Sequence, residues 1–294
     1  MSKPLPPPGV RWTFHGTILI ENYAQALDWL GRFCGCVALQ YVEADAPVWR
    51  RGGCCAIADN VLEFMEPNAE DAPTARALKK YGPSYYNLAL QVEDLKEACA
   101  FFNANGAETT VPAERGFTFT RPSGTAGIQL EWADLESEWD PRFGAAVPPG
   151  PDPLVPVPRV AWWGALVADP ARDVERLALL CGSPPIFLRA DAPDDEPVSA
   201  ISLKDGLFMI YRLPADQAVE QRLWGKALGR PRLHAMALRV RDLDQAAGVF
   251  AREDVGVLRR GAGELVTEPA DTLGLTMVWT DKDHPFDPRG PLAS

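Results

Sequence analysis

Four stretches of the chain repeat one pattern, an apolar run of strand length followed by a segment whose apolar residues recur at the three-to-four spacing of an amphipathic helix. Residues 13–20 lead into 24–33, 86–92 into 95–103, 161–167 into 171–180, and 233–240 into 243–252. Behind the helices lie further stretches of strand character, at 37–42, 55–65, 117–120, 128–132, 199–211 and 275–279. The pattern predicts a βαβββ unit present four times, hence an α+β fold whose strands turn alternate residues to opposite faces of a sheet. Residues 147–158, VPPGPDPLVPVP, can neither continue a helix nor pair in a central strand. They read as an extended linker between two domains, 1–146 and 159–294.

The halves on either side of that linker repeat each other. His15-Gly16 corresponds to Trp163-Gly164 and Asp94-Leu95 to Asp242-Leu243, each 148 residues on (163 − 15, 242 − 94). Trp132 corresponds to Trp279, and Asp140-Pro141-Arg142 to Asp287-Pro288-Arg289, each 147 on (279 − 132, 287 − 140). Self-similarity at a near-constant offset marks an internal duplication, with one residue lost in a loop between the helix and the last strand of the third unit.

The formal net charge of −11 disfavours nucleic acid or an anionic membrane as partner, since both select basic surfaces, and leaves a small-molecule substrate as the expected ligand. No apolar run of about 18 residues is present to span a bilayer. The opening MSKPLPPPGV lacks the apolar stretch of a secretory signal, so a cytoplasmic location is expected. Cys34, Cys36, Cys54, Cys55, Cys99 and Cys181 show no C-x-x-C spacing and are expected as free, packed thiols.

The strand-to-helix phrases Asn87-LALQVEDL and Ala235-MALRVRDL, with the turn-and-strand phrase Arg121-PSGTAGIQLEWAD, resemble the vicinal oxygen chelate superfamily, which includes glyoxalase I, methylmalonyl-CoA epimerase, fosfomycin-resistance proteins and extradiol dioxygenases. The resemblance covers nearly the whole chain. It implies two tandem glyoxalase-like domains, each closing two βαβββ units into a cupped mixed sheet, with metal ligands on the first and fourth strands of each unit. Carried over, the ligand positions of the first half are His15, Glu63, Asn87 and Glu131. Strand alternation agrees: His15, Thr17 and Leu19 share a face opposite Gly16, Ile18 and Ile20, and Asn87 and Glu131 likewise oppose apolar neighbours. A carboxylate on an otherwise apolar strand is costly to desolvate without a compensating cation, which points to one divalent metal ion held by His15, Glu63 and Glu131. Each of the three also has a plain structural reading, the histidine as a satisfied core residue and the glutamates as solvated residues on an open sheet.

The family usually places histidine where Asn87 stands, so its amide either coordinates weakly or bonds a substrate oxygen. One imidazole with two carboxylates leans towards Mn, Fe, Ni or Mg over Zn. The expected counterparts in the second half, Trp163, Ile210, Ala235 and Val278, offer no ligand, so that cup is expected to be metal-free. Glu66 faces away from Glu63 and precedes Pro67; His234 stands one residue from a ligand position, on the wrong face unless a bulge intervenes; His284 falls beyond the last strand. Arg50, Arg51 and Arg121 are candidates for a substrate carboxylate, the last two preferred, and Tyr85, Tyr86, Trp132 and Trp139 for pocket walls, Tyr86 foremost.

The function expected is a metal-dependent lyase or isomerase acting on a small oxygenated molecule, with the ion as Lewis acid and Glu63 or Glu131 moving a proton. The alternatives are an extradiol-type ring-cleaving dioxygenase, which would use a second histidine, and metal-free sequestration of a small molecule as in bleomycin-resistance proteins. Four units in one chain make a monomer sufficient, with a homodimer also compatible.

Overall fold

The computed structural model describes residues 5–44, 50–261 and 263–292; the outer bounds of the two expected domains, 1 and 294, lie outside them. The first half runs β1 (Val10–Leu19), α1 (Tyr23–Cys34), β2 (Val37–Ala38), β3 (Val42–Ala44), β4 (Arg50–Ile57), β5 (Asn60–Pro67), α2 (Pro73–Tyr81), β6 (Ser84–Val92), α3 (Leu95–Ala104), β7 (Phe117–Thr120) and β8 (Leu130–Ala133). The second runs β9 (Arg159–Val167), α4 (Pro170–Cys181), β10 (Pro185–Phe187), β11 (Ser199–Ser202), β12 (Leu207–Arg212), α5 (Gln217–Trp224), β13 (Arg232–Arg239), α6 (Leu243–Arg252), β14 (Val257–Gly261), β15 (Glu264–Thr267) and β16 (Thr276–Thr280). Each half folds into an eight-stranded sheet, in the orders β2-β4-β5-β1-β6-β8-β7, with β3 also on β4, and β10-β11-β12-β9-β13-β16-β15-β14. Both sheets are mixed, because β1 pairs with β5, β6 with β8, β9 with β12 and β13 with β16 in parallel and the other ladders are antiparallel.

The four expected strand-helix starts are all present, and one device begins each helix: the side chains of Asn22, Asp94, Asp169 and Asp242 accept from the backbone N–H three residues on. The stretch 55–65 is two strands broken at Ala58-Asp59, and 199–211 is likewise β11 and β12. In the second unit a single bridge from Thr109 to Thr120 stands where a further strand was expected. Helices α2 and α5 were not foreseen. Residues 147–158 form no helix or strand, yet they dock: Leu154 and Val155 donate to the carbonyls of Arg32 and Phe33, and Val155 and Val157 are buried.

Register corrects the alignment of the halves. Thr17 pairs with Glu63 and with Asn87, and Gly164 holds the same place between Met209 and Ala235. The offset is therefore 147 at β1 and β9 (164 − 17), 146 at β5 and β12 (209 − 63) and 148 at β6 and β13 (235 − 87). Ala89 beside Glu131 matches Ala237 beside Val278, returning it to 147 (278 − 131). The counterpart of His15 is thus Trp162, not Trp163, and that of Glu63 is Met209, not Ile210. Trp163 and Ile210 lie on the helix-covered face, because a slip of one residue turns a strand side chain to the other side. In place of one deletion, the second half is one residue shorter before β12, two longer before β13 and one shorter again before β16.

The helix-covered faces of both sheets share one continuous apolar core. Phe33 stacks on Phe250 with centroids 6.3 Å apart, and Tyr85 meets Trp163 edge-on at 6.0 Å. Gly16 permits that seam, since a Cβ there would stand 2.0 Å from Trp163 Cη2. Two reciprocal clasps close it. Asp205, on the β11–β12 turn, accepts from Thr13 of β1, and Asp59, on the β4–β5 turn, accepts from Val160 N of β9 at 2.9 Å. The repeated Asp-Pro-Arg motif serves the same strands: Arg142 donates to the carbonyls of Thr13 and Phe14, and Arg289 to those of Val160 and Ala161.

Candidate metal centre in the first cup

The open face of the first sheet carries the candidate chemistry. Two of the three bulges in the β1–β6 ladder shape it. Phe14 falls out of register between Thr13 and His15, and Tyr86 between Tyr85 and Asn87, so Phe14 and His15 are both turned into the cup. The second half bulges at the corresponding places, Ala161 and His234.

His15, Glu63 and Glu131 bring one ligand atom each within 4.8 Å of one another, on the adjoining strands β1 and β5 and on β8 across β6. All three are buried, at 4%, 8% and 8% exposure. His15 Nε2 lies 3.4 Å from Glu63 Oε2 and 3.6 Å from Glu131 Oε2. Neither ring nitrogen makes a hydrogen bond of normal geometry. Burial alone would lower the pKa of His15, but the carboxylates of Glu63 and Glu131 override it and push it up to about 9. Glu63 is held well below the usual carboxylate range: burial opposes this, and His15 and Arg50 outweigh it. An orphaned imidazole between two buried carboxylates is a donor set that fits a divalent cation, whose charge would replace the proton on His15.

The surroundings fix both carboxylates. Thr17 Oγ1 donates to Glu63 Oε2 at 3.0 Å, and Arg50 Nη1 pairs with Glu63 Oε1. Asn87 Nδ2 donates to Glu131 Oε2 at 2.9 Å, so in this arrangement the amide N–H, and not its oxygen, faces the carboxylate. Cys54 neighbours Glu63 across the β4–β5 ladder; burial first and the Glu63 charge second push its thiol up, which keeps it protonated. Phe14, Phe117 and Trp139 form an apolar wall on the β7 side of the cup.

The preferred arginines do not join this group. Arg51 points to the opposite face and pairs with Glu66 at 2.7 Å, where Glu66 also accepts from Tyr23 N; Arg121 pairs with Glu108 at 2.7 Å, both more than half exposed. Tyr86 sits half-buried on its bulge, its pKa raised by burial. Tyr85 and Trp132 are in the shared core, and Trp139 is in the cup. Arg50 is the arginine at the site. The hairpin shows why: Cys54 opposite Glu63 puts Arg50, two pleats along β4, on the Glu63 face, and a count back from the Ala58-Asp59 turn would have found it.

The second cup is filled. Trp162, Met209, Tyr211, Ala235 and Val278 line it, and Trp224 of α5 packs into it at 1% exposure. The bulge turns His234 into this cluster, 4.5 Å from the Trp224 ring and 5.0 Å from Tyr211. Burial drives its pKa well below the ordinary value, so it is neutral. Glu220, wholly buried on α5, pairs with Arg232 and accepts from the N–H groups of Leu228 and Gly229. His284 lies beyond β16, half-buried beside Phe286. The six cysteines are free. No described helix is long and apolar enough to cross a membrane.

No protein-family model matches the sequence, and no curated protein sequence matches it. Solved structures do. A mutant of 4-hydroxymandelate synthase from Streptomyces coelicolor superposes over 96% of this chain and 95% of its own, with a TM-score of 0.65 at 15% identity. Methylmalonyl-CoA epimerase from Mycobacterium tuberculosis aligns with 47% of this chain and 94% of its own, at a TM-score of 0.41 and 20% identity. The Streptomyces coelicolor epimerase aligns with 42% and 96%, at 0.39 and 18%. The full-length superposition shows the fold: two tandem glyoxalase-like domains in a single chain, each built on one eight-stranded mixed sheet.

Proposed function

We propose that the first cup is a divalent-metal centre that catalyses proton transfer on a small oxygenated substrate, as a lyase or isomerase. The observation that carries this reading is the convergence of His15, Glu63 and Glu131 in a buried cup around an imidazole with no hydrogen-bond partner among the described residues. A bound ion supplies Lewis-acid polarisation of the substrate oxygens.

The two glutamates divide the remaining work. Both oxygens of Glu63 are engaged, by Thr17 and by Arg50, and its pKa is depressed, so it stays ionised and serves as a fixed ligand. Glu131 is held through Oε2 by Asn87, and its Oε1 has no donor among the described residues. That oxygen is the one placed to take up and return a proton, with Asn87 holding the carboxylate while it does so. The likeness to 4-hydroxymandelate synthase bears on fold and not on reaction, since one fold hosts many chemistries.

The test is metal content by elemental mass spectrometry, alongside the double variant Glu63→Gln, Glu131→Gln. One metal ion per chain, lost in the variant, supports the centre, and oxygen uptake with an iron-loaded sample separates proton transfer from oxygen chemistry. An absence of metal after reconstitution with Mn, Fe, Ni, Zn and Mg overturns it and leaves metal-free ligand binding.

A further inference from the structure

The first cup is polarised across its sheet. In the order β4-β5-β1-β6-β8-β7, the triad occupies the middle, Arg50 stands on β4 at one side, and Phe14, Phe117 and Trp139 gather towards the other. Among the described residues, Arg50 donates only through Nη1, to Glu63. Its Nε is buried without a partner, and nothing among the described residues accepts from Nη2. Nε and Nη2 form the side of a guanidinium that binds a carboxylate with two parallel hydrogen bonds. A buried donor left empty is costly, so this edge calls for an acceptor. Charge points the same way. A divalent ion, two carboxylates and one guanidinium sum to a single positive charge in a buried site, which one anionic group would balance.

We infer that Arg50 is a carboxylate clamp, and that the ligand of the first cup is a small monoanionic carboxylate with an apolar body: the acid group on the Nε–Nη2 edge of Arg50, the body against Phe14, Phe117 and Trp139. This deepens the metal-centre reading by naming the substrate class, and it rests on that reading for the charge balance alone. Arg50 is a specificity-determining residue here, and the metal ligands remain as assigned.

The test compares benzoate with its neutral isostere benzamide by calorimetry on cobalt-loaded protein, for wild type, Arg50→Gln and Arg50→Lys, with metal content and unfolding midpoint measured on each. Wild type is expected to prefer benzoate. Arg50→Gln should lower the benzoate-to-benzamide affinity ratio about tenfold or more, and Arg50→Lys, which keeps charge but not the fork, should lower it less, with cobalt held at a saturating concentration so that weaker metal binding after loss of the Glu63 contact does not enter the ratio. An unchanged ratio in Arg50→Gln overturns the clamp while leaving the metal centre standing. If neither cobalt nor any of Mn, Fe, Ni, Zn and Mg loads, the metal reading fails, and the clamp is then tested on metal-free Glu63→Gln protein, where Arg50 has lost its carboxylate partner. A benzoate preference there that Arg50→Gln abolishes sustains the clamp, and no preference overturns it.

Discussion

Asp205 accepts from both the backbone N–H and the hydroxyl of Thr13, at 2.9 and 3.2 Å, although the two residues belong to different halves of the chain. Burial raises the Asp205 pKa to about 6, against the opposing pull of the Thr13 N–H and of Arg142. A carboxyl whose pKa is raised on folding binds more protons in the native than in the unfolded state between its two pKa values, so its contribution to stability falls as pH rises from about 4 to about 6. In urea titrations across that window, the wild-type midpoint should fall relative to that of Asp205→Asn, which cannot ionise. A constant gap between the two proteins would contradict this.

Metal uptake should depend on pH with the opposite sense. His15, with a pKa of about 9, must lose its proton to coordinate, so affinity should rise with pH and level off above about 9. Near neutrality each ion bound should release about one proton, measurable by calorimetry in two buffers of different ionisation enthalpy. The metal-free protein should become less stable as pH rises from about 6.5 to about 9, because a raised histidine stabilises only while it is protonated.

Asn87→Ala distinguishes an orienting amide from a ligand. With Asn87 bonded to Glu131, the variant should still bind one ion per chain, about 10- to 100-fold more weakly. Unaltered affinity would show that the hydrogen bond has no bearing on the ion, and complete loss would make the amide a ligand. Competition with a chelator of known affinity reads the difference.

Trp224→Ala should empty the second cup. Removing a fully buried tryptophan typically costs about 3–5 kcal/mol, and the void beside Tyr211 and His234 should then take up small aromatic compounds. A small change in unfolding midpoint would mean that α5 collapses to refill the space.

The strand-helix starts were legible because burial on one face of a strand writes a period of two into the sequence. His15, Glu63 and Glu131 came instead from the family resemblance, with which that alternation agrees. The halves were aligned one residue out at β9 because His15-Gly16 was set against the dipeptide Trp163-Gly164, where a shared glycine invited the match. The helix caps Asn22 and Asp169, 147 apart (169 − 22), hold the true offset. Bulges are invisible to a strict alternation, so Phe14 and His234 were not expected in their cups. Helices α2 and α5 escaped for another reason: α2 buries only Thr74, and α5 only Glu220 and Trp224, so neither shows the broad apolar stripe that marked the other four.

The clasps at Asp59 and Asp205 are alike in both halves, while the cups they hold together are not. In a dimer of identical chains any substitution is made twice, and a tryptophan that plugs one cup plugs its twin. Joining the halves into a single chain lifts that symmetry. One cup is then free to become ballast, kept for the surface it offers its neighbour, while the other keeps its histidine and glutamates.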